Sequence, residues 1–211
     1  MRVLVFGDSI TQGFWDTEGG WVARLRKYYD TRQIEDLRNR EEPTIFNLGI
    51  SGGTSETILA RFDNETKARK NREGMVIIVS TGLNDSYREG PDRYKSTPES
   101  YRHNLVLLAS KAKTYSNKIL FVGLVTGDET QTMPVFWRDI YYANERIEEF
   151  ENIMQKVASE NGVSFVPVFQ EFKKHLDAGE DLLADGLHPN NEGHELIFQL
   201  VRPELDKLLA L

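Results

Sequence analysis

The chain has 211 residues, of which 39% are hydrophobic and 28% charged, a composition that suits a globular protein with one sizeable core. Its 26 Lys and Arg against 33 Asp and Glu give a net charge of -7, which argues against a nucleic-acid partner because phosphate binding depends on clustered basic side chains. The chain has no cysteine, so disulfides, thiolate metal sites and cysteine nucleophiles are excluded.

Five short, nearly continuous apolar runs predict strands that are buried on both faces, as in a parallel sheet. These runs are residues 3–6, 45–48, 75–79, 119–125 and 163–168. None approaches the roughly 18 apolar residues of a membrane span, so no span is predicted. The first run is also too short for the apolar region of a signal peptide, and a cytoplasmic location is expected.

Segments with the apolar spacing of helices lie between these runs. Their apolar positions are Trp21, Val22, Leu25 and Tyr28; Leu105, Leu108 and Ala112; Ile147, Phe150, Ile153, Met154 and Val157; and Leu196, Ile197, Leu200, Leu205 and Leu208. Pro203 is expected to break or kink the last helix. Residues 61–73 and 90–100 are interpreted as surface helix ends and loops. No repeat or linker divides the chain, which predicts a single domain over residues 1–211.

Strands that alternate with helices predict an α/β protein with right-handed crossovers, a parallel sheet and helices on both faces, which is a three-layer α/β/α sandwich. In such open sheets, ligands bind beyond the carboxyl ends of the strands, where the strand order reverses. The loops after the strands are therefore the places to look for chemistry.

The loop after the first predicted strand has the sequence GDSITQG at residues 7–13. A tight strand-to-helix turn would hold the Ser9 hydroxyl at the edge of the sheet, and a helix N-terminus would supply N–H groups and positive dipole for a developing oxyanion. Taken alone, the motif is far more often an ordinary turn or helix cap than a catalytic element. It is not a phosphate-binding P-loop, because the Lys and Ser/Thr that end that motif are absent.

The loops after the second and third strands also carry suggestive residues. The sequence NLGISGGT at residues 47–54 has glycines that let the backbone approach a ligand and adopt positive φ. Asn84 places a carboxamide donor where the third strand ends. Each feature could instead belong to an ordinary turn.

Asp185 and His188 lie in a loop before the last helix and are separated by about one turn of chain. A carboxylate that accepts from the imidazole Nδ1–H leaves Nε2 able to take a serine proton. The alternative is an Asp that caps a helix beside an exposed His. The arrangement of Ser9, Asn84, Asp185 and His188 on one predicted face of the sheet favours catalysis.

Four sequence blocks resemble those of the SGNH hydrolase family, which is also called GDSL-like, and they occur in the family's order. They are GDSIT at residues 7–11, NLGISGG at 47–53, GLND at 82–85 and DGLHP at 185–189. The resemblance spans nearly the whole chain and implies a flavodoxin-like fold with five parallel strands. Family members are esterases, lipases, thioesterases and carbohydrate deacetylases. Ile10 stands where the family name has leucine, a change of similar volume.

The resemblance also implies roles for individual residues. Ser9 would be the nucleophile, Asp185 the charge partner and His188 the general base. Gly52, Asn84 and the backbone N–H of Ser9 would be the oxyanion-hole donors. The expected reaction is hydrolysis of a small-molecule, lipid or acetylated-carbohydrate ester through an acyl-enzyme, with no metal and no cofactor.

Two other functions remain open from the sequence. An acyltransferase would use the same triad and pass the acyl group to an alcohol. A non-catalytic flavodoxin-like module would hold an anion at the first turn, although that function gives Asp185 and His188 no purpose. The acyl chain, the alcohol part of the substrate and the oligomeric state are not legible in the sequence.

Four aromatic residues are candidates for substrate binding: Phe14, Trp15, Phe136 and Trp137. The last two lie in the apolar segment 126–142, which could cover the cleft, line an acyl pocket, form a dimer contact or simply pack.

The remaining polar residues receive structural interpretations. Asp8 and Asp85 are expected to hold backbone N–H groups, and Asn47 to brace its loop. His103, His175 and His194 have no motif partner and are expected to be solvated or at the edge of the core.

Overall fold

A computed structural model of the protein describes residues 1–39 and 41–210, and nearly all of the predicted strands and helices are present in it. In chain order its elements are β1 (Arg2–Gly7), α1 (Ser9–Gln12), α2 (Gly20–Glu35), β2 (Thr44–Gly49), α3 (Ser55–Arg69), β3 (Met75–Ser80), α4 (Leu83–Ser86), β4 (Arg88–Glu89), β5 (Arg93–Tyr94), α5 (Pro98–Lys113), β6 (Ile119–Val122), α6 (Glu129–Thr132), β7 (Ile140–Tyr141), α7 (Asn144–Glu160), β8 (Ser164–Val166), α8 (Phe169–Asp177) and α9 (Asn191–Leu209).

The central sheet has the strand order β2-β1-β3-β6-β8, and all of its strands are parallel. Every residue of β3 is buried, as expected for a strand that is covered on both faces. Helices α2 and α9 pack together, and α3, α5 and α7 pack in a row. The predicted three-layer α/β/α fold with five parallel strands is confirmed.

The strand order places the loops after β1 and β3 at the point where the chain reverses its direction across the sheet. From β1 the chain moves to β2 on one side and then returns to β3 on the other. The carboxyl ends of β1 and β3 therefore border the crevice in which open α/β sheets bind ligands. Ser9 follows β1 and Asn84 follows β3, so the fold itself brings these two residues close together.

The fourth strand of the central sheet is shorter than predicted, because beyond its end a buried carboxylate accepts the backbone hydrogen bonds in place of a neighbouring strand. The apolar run continues to Val125, but β6 ends at Val122. Glu151 on α7 accepts a hydrogen bond from the Leu124 N–H at 2.6 Å and another from the Phe169 N–H. Burial raises the pKa of Glu151 to about 6.

Two further features differ from the sequence-based expectation. Helix α9 runs without a break through Pro203, since Val201 and Leu205 on either side of the proline are buried and hold the helix against the core. A second, antiparallel sheet of order β5-β4-β7 joins parts of the segments 90–100 and 126–142 through β4, although no strand was predicted in either segment. Its strands have only two residues each, too few to show an alternating pattern.

Candidate active site

Ser9 lies in a tight turn that its neighbour Asp8 stabilises. The Asp8 side chain caps α1 by accepting from the Ile10 N–H at 3.0 Å, and burial raises the pKa of Asp8 to about 6. Ser9 is the first residue of α1 and is buried. Because α1 has only four residues, its dipole is far smaller than the sequence suggested, and backbone N–H groups are what this turn offers to an anion.

The structure brings Ser9, His188 and Asp185 together. His188 Nε2 lies 3.0 Å from Ser9 Oγ, and His188 Nδ1 lies 2.8 Å from Asp185 Oδ2. The side chains of His188 and Asp185 are only 12% and 11% exposed. The serine hydroxyl, the imidazole and the carboxylate thus form one continuous hydrogen-bonded chain between residues 179 positions apart in the sequence.

The Asp185 loop is fixed by its own backbone. Asp185 Oδ1 accepts from the N–H groups of Leu187 at 3.0 Å and His188 at 2.7 Å. Burial by itself would raise the pKa of Asp185, but hydrogen bonds from the side chain and backbone of His188 outweigh it and lower that pKa to about 2. Asp185 is therefore ionised at neutral pH, which suits a partner for an imidazolium.

Trp15 is a polar partner of this network that the sequence analysis missed. Its indole Nε1–H donates to Asp185 Oδ2 at 2.8 Å, the same oxygen that is bonded to His188. Trp15 has a left-handed backbone with a φ of 64°, which is rare for a residue with a side chain of this size, and the residue is 60% exposed. No local pattern indicates this bond, because the two residues are 170 positions apart.

Gly52 and Ser9 present backbone donors at this edge of the sheet. Gly52 has φ 74 and open space where a side chain would stand. Among the hydrogen bonds of residues 1–39 and 41–210, none has the N–H of Ser9 or of Gly52 as its donor. Both groups are therefore available to an acceptor from outside the chain.

Asn84 is held by three neighbours rather than standing free. Its Nδ2 donates to the Gly53 carbonyl at 3.1 Å and, over a long 3.4 Å, to Asp8 Oδ2. The hydroxyl of Tyr142 donates to Asn84 Oδ1 at 3.1 Å. Burial raises the pKa of Tyr142, so its hydroxyl stays protonated and able to donate. Tyr142, which follows β7 of the small sheet, was not singled out by its position in the sequence.

The four candidate aromatic residues line one groove of about 940 Å³, together with Asp185 and His188. The ring centroids of Phe14 and Trp137 lie 5.7 Å and 5.9 Å from that of His188. Phe136 is 83% exposed and packs edge-on against Trp137. The residues of segment 126–142 thus reach the same imidazole as the loop that carries Ser9.

The neighbouring polar residues Asp85 and Asn47 have structural partners. Asp85 accepts from the backbone and hydroxyl of Ser55, and Asn47 braces its loop by accepting from Gly49 N–H and donating to the Thr11 carbonyl. These contacts agree with the structural interpretations given to both residues.

His194 was expected to be solvated or at the edge of the core, but it is fully buried. Its Nδ1 accepts from the Trp21 N–H at 3.3 Å, and its Nε2 lies 3.0 Å from the Phe14 carbonyl. These partners hold α2 and α9 together behind the Ser9 loop. The sequence could not predict this role, because His194 and its partners are far apart along the chain. In the part of the chain that the structure describes, no group of three or more His, Asp or Glu residues is placed to hold a metal ion.

A five-stranded parallel α/β/α fold with a serine bonded to a histidine beyond its strand ends defines the class of the SGNH hydrolases. A family model matches residues 5–196, and the chain belongs to the GDSL-like Lipase/Acylhydrolase family. The resemblance noted in the sequence is therefore confirmed.

Similar proteins extend over nearly the full chain. Esterase TesA of Pseudomonas aeruginosa is 29% identical over 213 residues, which cover 98% of this chain and 89% of that protein. The isoamyl acetate-hydrolyzing esterase of Saccharomyces cerevisiae is 26% identical and covers 92% of this chain and 82% of its own length. The crystal structure of a lipase/acylhydrolase from Enterococcus faecalis matches with a TM-score of 0.77 at 22% identity, covering 98% and 95% of the two chains.

The chain is a hydrolase that acts on ester bonds, as predicted, and the alternative of a non-catalytic anion-binding module is set aside. Over residues 1–39 and 41–210, the helices are too short or too polar for any of them to cross a bilayer.

Proposed function

We propose that the protein is a serine carboxylesterase in which Ser9 attacks the ester carbonyl, His188 moves the proton and Asp185 orients and stabilises His188. The observation that carries this proposal is the hydrogen-bonded chain from Ser9 Oγ through the imidazole to Asp185 Oδ2, with links of 3.0 Å and 2.8 Å. Both distances lie within the reach needed for proton transfer between positioned groups.

The proton follows this chain in both halves of the reaction. His188 Nε2 accepts the Ser9 proton as Oγ bonds to the carbonyl carbon, and the ionised Asp185 stabilises the resulting imidazolium. The imidazolium then donates its proton to the leaving alkoxide, which leaves an acyl-enzyme on Ser9. A water molecule repeats the cycle and releases the carboxylic acid. These steps use only side chains, backbone and water.

The oxyanion that forms on the carbonyl needs donors on the other side of Ser9. The N–H groups of Ser9 and Gly52 are available for this task. The Asn84 side chain adds a third donor when the N–H that makes the long 3.4 Å contact with Asp8 donates to the substrate oxygen instead. Tyr142 supports this role, because its hydroxyl bonds to Asn84 Oδ1 and so keeps the Nδ2 end facing the site.

Trp15 is a positioning residue in this proposal. Its indole N–H donates to Asp185 Oδ2 and fixes the carboxylate in the plane in which it meets His188. Hydrogen bonds to charged groups contribute more than those between neutral groups. The substrate itself binds along the groove of Phe14, Trp15, Phe136 and Trp137.

The name of one relative, the isoamyl acetate-hydrolyzing esterase, supports a small, uncharged ester as substrate. Transfer of the acyl group to an alcohol uses the same groups and stays an alternative. Incubation with an ester in the presence of a second alcohol separates the two, because a transferase yields the new ester while a hydrolase yields the acid.

A fluorophosphonate probe tests the nucleophile directly. The wild-type protein is expected to gain the mass of one phosphonyl group on Ser9, while Ser9→Ala stays unlabelled and loses ester hydrolysis by about 10⁴-fold or more. Ser110→Ala is the matched control, since Ser110 is an exposed serine on α5, and this variant is expected to label and hydrolyse normally. Labelling of Ser9→Ala at the wild-type rate would refute the assignment.

A further inference from the structure

The aromatic groove has a definite position relative to the reacting bonds. Two pairs of rings flank it, Phe14 with Trp15 from the loop after Ser9 and Phe136 with Trp137 from segment 126–142. One ring of each pair lies within 6 Å of the His188 imidazole, measured between centroids. The oxyanion donors Gly52 and Asn84 are not among the residues that line the groove.

This position decides which part of an ester the groove can hold. The carbonyl oxygen must point to the oxyanion donors, whereas the alcohol oxygen must lie near His188 Nε2 to receive its proton. A group attached to the alcohol oxygen therefore extends past the imidazole, where the rings stand. From this geometry, and resting on the proposed function of Ser9 and His188, we infer that the groove binds the alcohol part of the ester and selects an alcohol that carries a ring and no negative charge.

The lining of the groove specifies the chemistry of that alcohol. Aromatic rings bind the faces of other rings by offset or edge-on packing. Among the residues that line the groove in the described part of the chain, there is no Lys or Arg to receive a phosphate or carboxylate. Its two carboxylates are already engaged, Asp16 with Arg24 and Asp185 with His188. A negatively charged alcohol would thus lose its hydration without gaining a partner.

The same groove also binds an alcohol that arrives after the first has left. Its hydroxyl gives its proton to His188 Nε2 while its oxygen bonds to the acyl carbon, the bond from that carbon to Ser9 Oγ breaks, and the proton passes to Ser9. The products are a new ester and the free serine, so the step balances without any further reactant. Ring-bearing alcohols are therefore better acceptors than ethanol.

Two isomeric esters test which side of the bond the groove serves. Benzyl acetate and methyl phenylacetate carry the same benzyl group on the alcohol side and on the acyl side. Their alcohols are of similar acidity, so a difference in kcat/KM reports binding of the ring rather than the ease of leaving. The wild-type protein is expected to prefer benzyl acetate by about tenfold or more in kcat/KM, because packing of its ring against one or two aromatic rings of the groove stabilises the transition state by that amount.

Groove variants locate the effect. Phe136→Ala and Trp137→Ala, both at exposed positions, are expected to lower kcat/KM for benzyl acetate by about three- to tenfold more than they lower kcat/KM for ethyl acetate, which has no ring to lose. Both acetates form the same acetyl-enzyme, so the loss lies in acylation. The variants are also expected to form less benzyl acetate from ethyl acetate and added benzyl alcohol. Ile34→Ala, a 70% exposed apolar position outside the groove, is the control.

Failure of this inference can be distinguished from failure of the proposed function. A preference for methyl phenylacetate that Phe136→Ala and Trp137→Ala abolish would place the acyl part in the groove and overturn the inference. An equal response of both isomers to the variants, or none, would overturn it as well. Failure of the proposed function would look different, because ethyl acetate would not be hydrolysed and Ser9 would not react with the fluorophosphonate probe.

Discussion

The two sides of Ser9 differ in how far the fold completes them. On the imidazole side, His188 is bonded to both Ser9 and Asp185. Trp15 donates to the same Asp185 oxygen as His188, and two backbone N–H groups donate to the other oxygen. On the oxyanion side, the N–H groups of Ser9 and Gly52 have no partner among the described residues, and the Asn84 amide points to Gly53 and Asp8.

This difference separates two kinds of work. The proton-transfer side forms a closed network before the substrate arrives, so removing one member disturbs groups that depended on it. In the proposed mechanism, the oxyanion side consists of donors that stabilise a charge present only in the transition state. Substitutions on the first side should therefore interact strongly with each other, whereas those on the second should lower kcat with little effect on KM.

Asp185→Asn should have the largest effect in this comparison. The introduced amide oxygen can still accept the backbone N–H groups of Leu187 and His188, so the loop should keep its shape. A neutral amide cannot stabilise the imidazolium and favours the wrong tautomer, which costs about 10⁴-fold in kcat. Steady-state kinetics with ethyl acetate measure the loss, and circular dichroism checks the fold. Activity within tenfold of wild type would mean that Asp185 is not the partner of the base.

Asn84→Ala should cost less, about 10²- to 10³-fold in kcat with KM nearly unchanged, because it removes a donor to the transition state. Tyr142→Phe removes the hydroxyl that orients the amide, and about a tenfold loss of kcat is expected. In the Asn84→Ala background the Tyr142 substitution should cost almost nothing. Additive losses in this double-mutant cycle would show that Tyr142 acts on something other than Asn84.

Asp8 provides a test on stability rather than rate. Burial raises its pKa from 3.8 to about 6, so the folded state holds this proton more tightly than the unfolded state does. The stabilising contribution is complete below about pH 4 and is lost as pH rises through 6. At about 1.4 kcal/mol per pKa unit, Asp8→Asn should gain roughly 3 kcal/mol relative to wild type between pH 4 and pH 7.

Urea unfolding of both proteins across this pH range measures the difference for Asp8. Glu151 has a similarly raised pKa, but it is present in both proteins and cancels in the comparison. A difference that stays constant with pH would show that Asp8 does not titrate in this window.

Trp15→Phe should have the smallest effect on the imidazole side, about tenfold in kcat/KM, because it removes one hydrogen bond to a charged oxygen and keeps an aromatic ring in the groove. The loss should vanish in the Asp185→Asn background, where the charge it supports is gone. An unchanged loss in that background would assign Trp15 to substrate binding alone.

Most of the fold was predictable, because apolar runs and helical spacing report burial directly. The five strands of the central sheet and the position of Ser9, Asn84 and His188 beyond their ends follow from this pattern. The small antiparallel sheet did not follow, since strands of two residues have no period. The end of β6 at Val122 also depends on the Glu151 carboxylate, and no local pattern around residues 119–125 predicts that contact.

For the site, the sequence by itself determined which residue types stand after which strands, because a parallel sheet gathers its loops at one edge whatever their content. Only the tertiary structure decided three sets of contacts: the hydrogen bonds of at most 3.0 Å that link Ser9 Oγ through His188 to Asp185, the bond from the Trp15 indole to Asp185, and the bond from Tyr142 to Asn84. Such contacts join residues far apart along the chain, and hydrogen bonds depend on distances of a few tenths of an ångström. A one-dimensional pattern specifies which face a residue occupies but cannot specify distances of that kind.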